Sequence, residues 1–442
     1  MAANTAATAG LDGVAGLTAS HPSLTPLVRA PRGWPGLFVA LLAIVVIGFA
    51  VWIMQLQQGL GITGMNNQAN WSLYIINFMF FIGASAGGII VGALAHALGI
   101  ERFRPVARLA EVTALTALTL AVLSILLDIG RPERAWHMLR YASFTSPLVW
   151  DVIIIGVYGA LAFGLVYFSI RPDLVHLAQA FPKRRRFYSA LALGRMDLSP
   201  SSLEWDRKAL RALAVLSIPI AVLLHSVTAW ILGLVKAQPG WHTAIIAPLF
   251  ITSAVVSGVA LTILSSLLSR YFLHVPIKDH VVQALADILL WSLPVLGYFL
   301  FSEMLTNWYP REPKAEEVFR EMVFGRYRPV FWFELLAALV VPFGLLFFRR
   351  TRTIGRVAVA AALVVMGVFA ERWNILLPPQ LGHSHLPYAT AQYTPTLLEL
   401  VLVGSIWAAG ALGYVVLTRL FPMMELEVEE AGLKAEAGEK PR

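Results

Sequence analysis

Ten apolar stretches, each long enough to cross a bilayer, limit the fold of this chain more than any other feature. They run approximately over 36–56, 71–98, 109–128, 148–170, 210–235, 243–272, 281–304, 329–348, 354–377 and 397–417. A helix needs about 20 mostly apolar residues to span the hydrocarbon core. The runs are continuous rather than alternating, which excludes a transmembrane barrel. Pro219, Pro248, Pro294 and Pro342 fall inside spans, as bundles tolerate when neighbouring helices satisfy the freed carbonyls. Composition agrees: the 442 residues are 58% hydrophobic and 14% charged, against roughly 45–50% and about 25% in soluble domains. The expected fold is an all-α polytopic membrane protein. Residues 1–35 carry no basic residue before Arg29, unlike a secretory signal, and read as a flexible cytoplasmic tail. Residues 421–442 read as a second, charged cytoplasmic tail.

Lysine and arginine set the expected orientation. With the N-terminus inside, inner segments hold 23 of them and outer loops nine, while Arg211 and Arg372 fall within helices. Both termini are expected in the cytoplasm, with the chain in the cell inner membrane. The tetrabasic run Lys183–Arg186 reads as a positive-inside anchor or, less simply, as a contact for acidic membrane lipid. The net charge of +8 lies in short runs between apolar stretches and does not point to nucleic acid.

The second to fifth spans resemble the sixth to ninth. Trp71 and Trp241 open matching helices, and Ala86-Gly87-Gly88 aligns with Val256-Ser257-Gly258 at the same offset. Glu111 aligns with Asp287, and Trp150-Asp151 answers Trp332-Phe333-Glu334. The expected architecture is therefore two four-helix bundles, 71–235 and 236–377, related as a parallel repeat. The first helix with its outer loop (36–70) and the tenth with the loop before it (378–420) are outlying. Chance matching of apolar helices is the competing account.

The chain has no cysteine, so it can hold no cysteine-ligated iron–sulfur cluster and no thiolate zinc site. Of ten histidines only His225 lies clearly inside a span, with His96 and His242 at helix ends. Bis-histidine haem, which needs facing ligands within the membrane, is not expected. Gly382-His383-Ser384-His385 reads as a polar loop rather than a metal site.

Ionisable residues within a membrane are costly and usually functional. Here they form two layers. Asp128, Asp151, Glu303, Glu334, Glu371-Arg372 and Glu399 lie toward the outer surface, with His225 deeper; Glu111 and Asp287 lie toward the inner one. Helix capping and pairing with nearby bases, Arg131 and Arg134 for the two aspartates and Arg108 or Lys278 for the inner acids, is the plain alternative. Trp71, Tyr74 and Trp150 sit near the outer interface, where an aromatic belt is ordinary. Rings, a histidine and carboxylates under one surface equally suit a quinone headgroup, whose oxidation releases protons to nearby acids.

At these residues the sequence resembles the NrfD/PsrC-like family of quinone-interacting membrane subunits, in its ten-helix branch. The resemblance rests on Trp71-Ser-Leu-Tyr74, Phe81-Ile-Gly83-Ala-Ser85-Ala-Gly87-Gly88, Arg108-Leu-Ala-Glu111 and Asp128-Ile-Gly-Arg131-Pro132. It continues in Ser146-Pro-Leu-Val-Trp150-Asp151, His225-Ser226-Val227, Pro239-Gly-Trp241-His242, Glu371-Arg372-Trp373 and Tyr393 through Glu399. It implies a subunit that carries no haem and exchanges electrons between membrane quinone, menaquinone or ubiquinone, and a ferredoxin-like iron–sulfur subunit. A molybdopterin or other catalytic subunit would lie beyond, so this chain would not be catalytically complete alone. Alternative complex III subunits have a histidine where this chain has Ser85, so Asp151 and Glu111 are the better matched positions.

The sequence-based expectation is quinol bound near the outer surface among the second to fifth helices. Tyr74, Asn77 and Ser85, flanked by Trp71 and Trp150, would face the headgroup. Asp128, Asp151 and His225 would be hydrogen-bond partners or proton acceptors, and Glu111 and Asp287 would belong to a proton path from the inside. The partner would dock on the loops 131–147 and 310–328. A secondary transporter, also built from repeated bundles with membrane acids, is the rival reading; it favours charges near the midplane.

Overall fold

The computed structural model describes residues 24–28, 30, 33–381 and 392–426. The expected tail before residue 24, the Gly382–His385 loop and residues 427–442 lie outside the described residues. Among the described residues ten helices are long and apolar enough to cross a membrane: α1 (Trp34–Gln58), α2 (Leu73–His96), α3 (Glu101–Asp128), α4 (Pro147–Ala180) and α5 (Pro200–Gly233), followed by α6 (Ile246–Leu273), α7 (Asp279–Trp308), α8 (Arg328–Phe347), α9 (Ile354–Leu381) and α10 (Leu397–Leu417). The chain is a multi-pass integral membrane protein.

Helices α4 and α5 run about ten residues past the apolar stretches that announce them. Hydropathy locates the part of a helix in hydrocarbon, and a buried ion pair accounts for the remainder. Arg171 near the end of α4 and Asp206 near the start of α5 pair with each other, and Asp206 also meets Arg195 at 3.2 Å. The Arg171 guanidinium donates to the Asp197 carbonyl at 2.7 Å. The linker between them shrinks to residues 181–199, with the exposed tetrabasic run leading into a short helix, Arg185–Leu191. Pro200 opens α5 behind Ser199, whose side chain caps Ser202 N–H, the usual place for proline in a helix.

Helix α8 departs from α geometry at Leu335–Val340, a π-helical turn between Glu334 and Pro342. Proline removes one backbone donor and collides with the carbonyl four residues earlier; widening the turn before Pro342 relieves both. Such π segments concentrate at functional positions.

Helices α2, α3 and α6 pack together at the centre, α5 packs on α4, α2 and α6, α9 packs on α6 and α8, and α1 sits outside against α10. Helix α2 is the centre of the molecule, with 89% of its apolar window buried against 6% for α1. Its small residues explain why. A Cβ on Gly87 would stand 2.2 Å from the Ala254 carbonyl oxygen, and one on Gly258 would stand 2.3 Å from Gly87 Cα. The two helices therefore meet backbone to backbone, as small residues permit in membranes. Nearby, Trp71 and Trp241 stack with ring centroids 5.8 Å apart.

The loops at the ends of α2, α4, α6 and α8 carry most of the basic residues. That side of the molecule is termed the basic end, and the side bearing residues 59–72 and 129–146 the far end.

Candidate functional site

The polar side chains inside the bundle fall into separate networks at distinct depths. On one side of α2, at the far end, the Tyr74 hydroxyl donates to Gln55 Oε1 at 2.7 Å, and Gln55 Nε2 donates to the Leu127 carbonyl at 2.8 Å. This bridge ties α1 and α2 to the end of α3, where Asp128 leaves one buried carboxylate oxygen without a partner. Asn77 is fully engaged. It donates to Ser124 at 2.8 Å and accepts from Trp407 at 2.9 Å.

Glu399 closes this network. Its oxygens accept from Gly64 N–H, the Ser72 and Tyr393 hydroxyls, and both the N–H and hydroxyl of Thr396. A capping box at Thr396 holds the carboxylate at the first turn of α10, reinforcing the helix start. Burial and the adjoining Glu399 carboxylate push the Tyr393 hydroxyl above the ordinary phenol range.

Asp151 and His225 lie on α4 and α5, and Ser85 lies deeper on the same face of α2 as Tyr74. The Thr228 hydroxyl donates to Asp151 Oδ1 at 2.6 Å, and both residues are almost wholly buried. His225, one turn below Thr228 on α5, binds the Ala221 carbonyl through Nδ1 at 3.0 Å, while its buried Nε2 has no partner. Ser85 donates to the Ala114 carbonyl at 2.7 Å and lies 2.9 Å from the Tyr158 hydroxyl. Tyr74 and Ser85 are 11 residues apart on α2, about 16 Å along its axis. They occupy separate levels and cannot meet one ring together. The two tryptophans stand at the edge: Trp150 donates to the Phe144 carbonyl at 2.6 Å, and Gln380 brackets the Trp71 backbone.

Neither Asp128 nor Asp151 pairs with Arg131 or Arg134 among the described residues, so the capping account of the two aspartates is not what the structure holds. Glu371 does lie near Arg372, at 3.8 Å. Arg372 also reaches the Ser253 hydroxyl and sits over the Phe250 ring. Its charge is shared with Glu334 and Glu303, and Glu334 accepts from Asn374 at 2.5 Å. Glu303 and Glu334 line an apolar pocket of about 330 Å³ beside the π turn of α8. Gly83 joins this network to the previous one: a Cβ there would lie 3.6 Å from Arg372 and 3.8 Å from His225 Nε2.

The two inner acids differ. Glu111 is buried and faces His96 at 3.2 Å, while Arg108, its expected partner, pairs with Asp173 at 2.5 Å. Asp287 is partly exposed and held by Arg349 at 3.0 Å and Arg352 at 2.8 Å. Glu425, in the segment after α10, lies 4.0 Å from His96 and 3.6 Å from Arg104. Burial raises its carboxyl above the usual range, against the pull of Arg108, His96 and Arg104.

Sequence reasoning missed three contributors. Gln55, a polar residue near the end of an apolar span, carried the available signal. Thr228 and Tyr158 gave none, because one hydroxyl on an apolar helix is commonplace.

With this geometry in place, comparison with known proteins is decisive. The family pattern for NrfD, polysulphide reductase, matches residues 61–382. The chain belongs to the NrfD family. A Halobacterium salinarum protein named as a dimethyl sulfoxide reductase membrane subunit is 32% identical over 437 residues, covering 94% of this chain and 96% of the relative. A selenate reductase subunit of Mesobacillus selenatarsenatis is 26% identical, covering 86% and 91%. The Hdr-like menaquinol oxidoreductase integral membrane subunit of Archaeoglobus fulgidus is 27% identical, covering 89% and 95%. This NrfD-family chain thus matches such reductase and oxidoreductase subunits over nearly their whole length.

Proposed function

We propose that this NrfD-family chain is the quinone-binding membrane subunit of a respiratory oxidoreductase complex, exchanging electrons between a membrane quinol and an iron–sulfur partner. The observation that carries the reading is the presence, on α4 and α5, of Asp151, which accepts one side-chain hydrogen bond, from Thr228, and of His225, whose buried Nε2 has no hydrogen-bond partner among the described residues. Buried polar atoms are normally paired. Two of them with spare capacity, on facing helices near the membrane surface, suit the two oxygens of a quinol ring. The Archaeoglobus relative, named for menaquinol, favours that class of quinone.

When bound, quinol supplies two electrons to the partner's cluster and two protons to the protein. Asp151 and His225 orient the two hydroxyls and accept those protons; the reverse transfer serves quinone reduction. Ser85 and Tyr158 meet each other deeper in the bundle, between α2 and α4. Tyr74, Gln55 and Asp128, about three turns nearer the far end than Ser85, are better suited to passing protons to the far surface than to touching the same ring. Glu111 with His96 fits a proton route from the basic end. Asp287, held between two arginines, is suited to structural pairing. The partner docks at the far end, where the 131–147 loop exposes Trp136, Tyr141 and Phe144 and the amphipathic helix Pro313–Val323 lies across α7 and α8.

The test is quinol oxidation by the purified complex. A quinol analogue is expected to reduce the partner's cluster only when this chain is present, while an artificial dye reduces it either way. Substrate uptake by the isolated chain in proteoliposomes, with no quinol effect on the complex, would instead establish the transporter reading.

Orientation has a clean test, because the chain lacks cysteine. Asn67→Cys, exposed at the far end outside the partner-docking loops, is expected to react with a membrane-impermeant maleimide added to intact cells. Ser201→Cys at the basic end is expected to react only after lysis, and the reverse pattern would invert the topology.

A further inference from the structure

At the basic end a cavity of about 640 Å³ opens among the end of α2, the start of α3, α4 and α5, and the segment after α10. Its acids are already answered. Asp173 pairs with Arg108 at 2.5 Å, Asp206 with Arg171 and Arg195, and Glu425 with Arg104 at 3.6 Å. Arg104 also answers Glu101, at 3.4 Å.

Two cations in the cavity wall are not answered. Arg207 and Arg211 line it, are exposed, and make no ion pair among the described residues. They stand four residues apart on α5, so their side chains share one helix face. Lys208, between them in sequence, is engaged with Glu204 at 2.8 Å. The cavity therefore carries a local surplus of two guanidinium groups, which stay charged at any working pH. Their forked donors match phosphate oxygens in a bidentate way. Phe168, Leu203 and Leu210 supply an apolar wall beside them.

We infer that this cavity binds the phosphate of an anionic phospholipid from the surrounding leaflet, gripped by Arg207 and Arg211 with its acyl chains against the apolar wall. Basic pockets between membrane helices are suited to such headgroups. A free phosphate ion shares the polar chemistry but makes no use of the apolar wall. The site is separate from the quinol site: it lies at the opposite end of α5 from Asp151 and His225. The chain's own C-terminal segment completes it, since Glu425 and Leu426 form part of the lining. A lipid seated there would touch α3, α4, α5 and that segment together.

The experiment is native mass spectrometry of the full-length chain in detergent, titrated with phosphatidylglycerol, phosphatidylcholine or inorganic phosphate. Wild type is expected to hold one phosphatidylglycerol in preference to phosphatidylcholine. The double variant R207A/R211A is expected to bind it about 30-fold more weakly, from the typical contribution of two basic residues near a membrane surface. Both residues are exposed, so the variant should keep the thermal midpoint of lipid-free wild type, and a matched midpoint is the condition for comparison. K208A removes one charge outside the cavity and is expected to leave the adduct unchanged. Equal adducts on wild type and R207A/R211A, or equal loss in K208A, would overturn the site. Displacement of the lipid by millimolar inorganic phosphate would overturn the lipid assignment in favour of a free anion.

Discussion

Replacing Arg108 with alanine is expected to cost about 3–5 kcal/mol of stability, the range for breaking one side of a buried ion pair. The side chain is buried. Its Nε donates to the Ser169 hydroxyl at 3.2 Å and its Nη2 to the Ser169 carbonyl. Its Nη1 meets Asp173 at 2.5 Å and the carbonyls of Pro422 and Met424 at 3.3 and 3.0 Å. One guanidinium therefore joins α3, α4 and the C-terminal segment. Alanine would leave Asp173, in the wall of the basic-end cavity, without its cationic partner, and would release residues 422–426. The measurement is the thermal midpoint of the purified chain, followed by size-exclusion profiles after heating, with limited proteolysis reporting the segment. Arg108→Lys is expected to recover part of the loss, because it restores charge without the fork. Wild-type stability in Arg108→Ala would show that the pair is dispensable.

Asp151→Asn is expected to lower quinol oxidation by the assembled complex by at least about 100-fold, the lower end of what a positioned proton acceptor contributes. The replacement is nearly isosteric, and its carbonyl oxygen can still accept from Thr228, so helix packing is preserved. Only the capacity to take a proton is removed. Complex yield and dye-linked activity of the partner should stay at wild-type levels, which separates a chemical defect from an assembly defect. Thr228→Val, which loosens the carboxylate without removing it, is expected to have a smaller effect on the rate. Unchanged turnover in Asp151→Asn would remove this residue from the site. The same assay on Tyr74→Phe distinguishes the two levels of α2: a small effect there fits a role outside the ring's immediate contacts.

The ten spans were legible because bilayer thickness imposes a length on every apolar run, whatever its neighbours. Helix ends were not. The Arg171–Asp206 pair that prolongs α4 and α5 joins residues 35 positions apart, and no local pattern announces it. The same limit governs the site. Glu111 and Asp287 look alike in sequence, each an acid just inside a span after Leu-Ala. Only the fold shows one beside His96 and the other beside two arginines more than 60 residues away. Glu399 was visible as an intramembrane acid, but its five donors come from residues 64, 72, 393 and 396. Tyr74 and Ser85, expected to face one headgroup, share a face of α2 but stand about 16 Å apart along it. Residue type signalled chemistry; depth and facing, which decide what can meet one ring, required the packed helices.

The backbone contact at Gly87 and Gly258 also bears on how such a chain could convert energy. Machines that rock one half against the other need a bearing, a surface of side chains that can slide or re-pack as the angle changes. Here α2 and α6 meet at a point where two main chains touch, with no side chain between them to shift. Tilting one helix against the other there would drive one peptide group into another. At that point the contact works as a fixed spacer rather than a bearing.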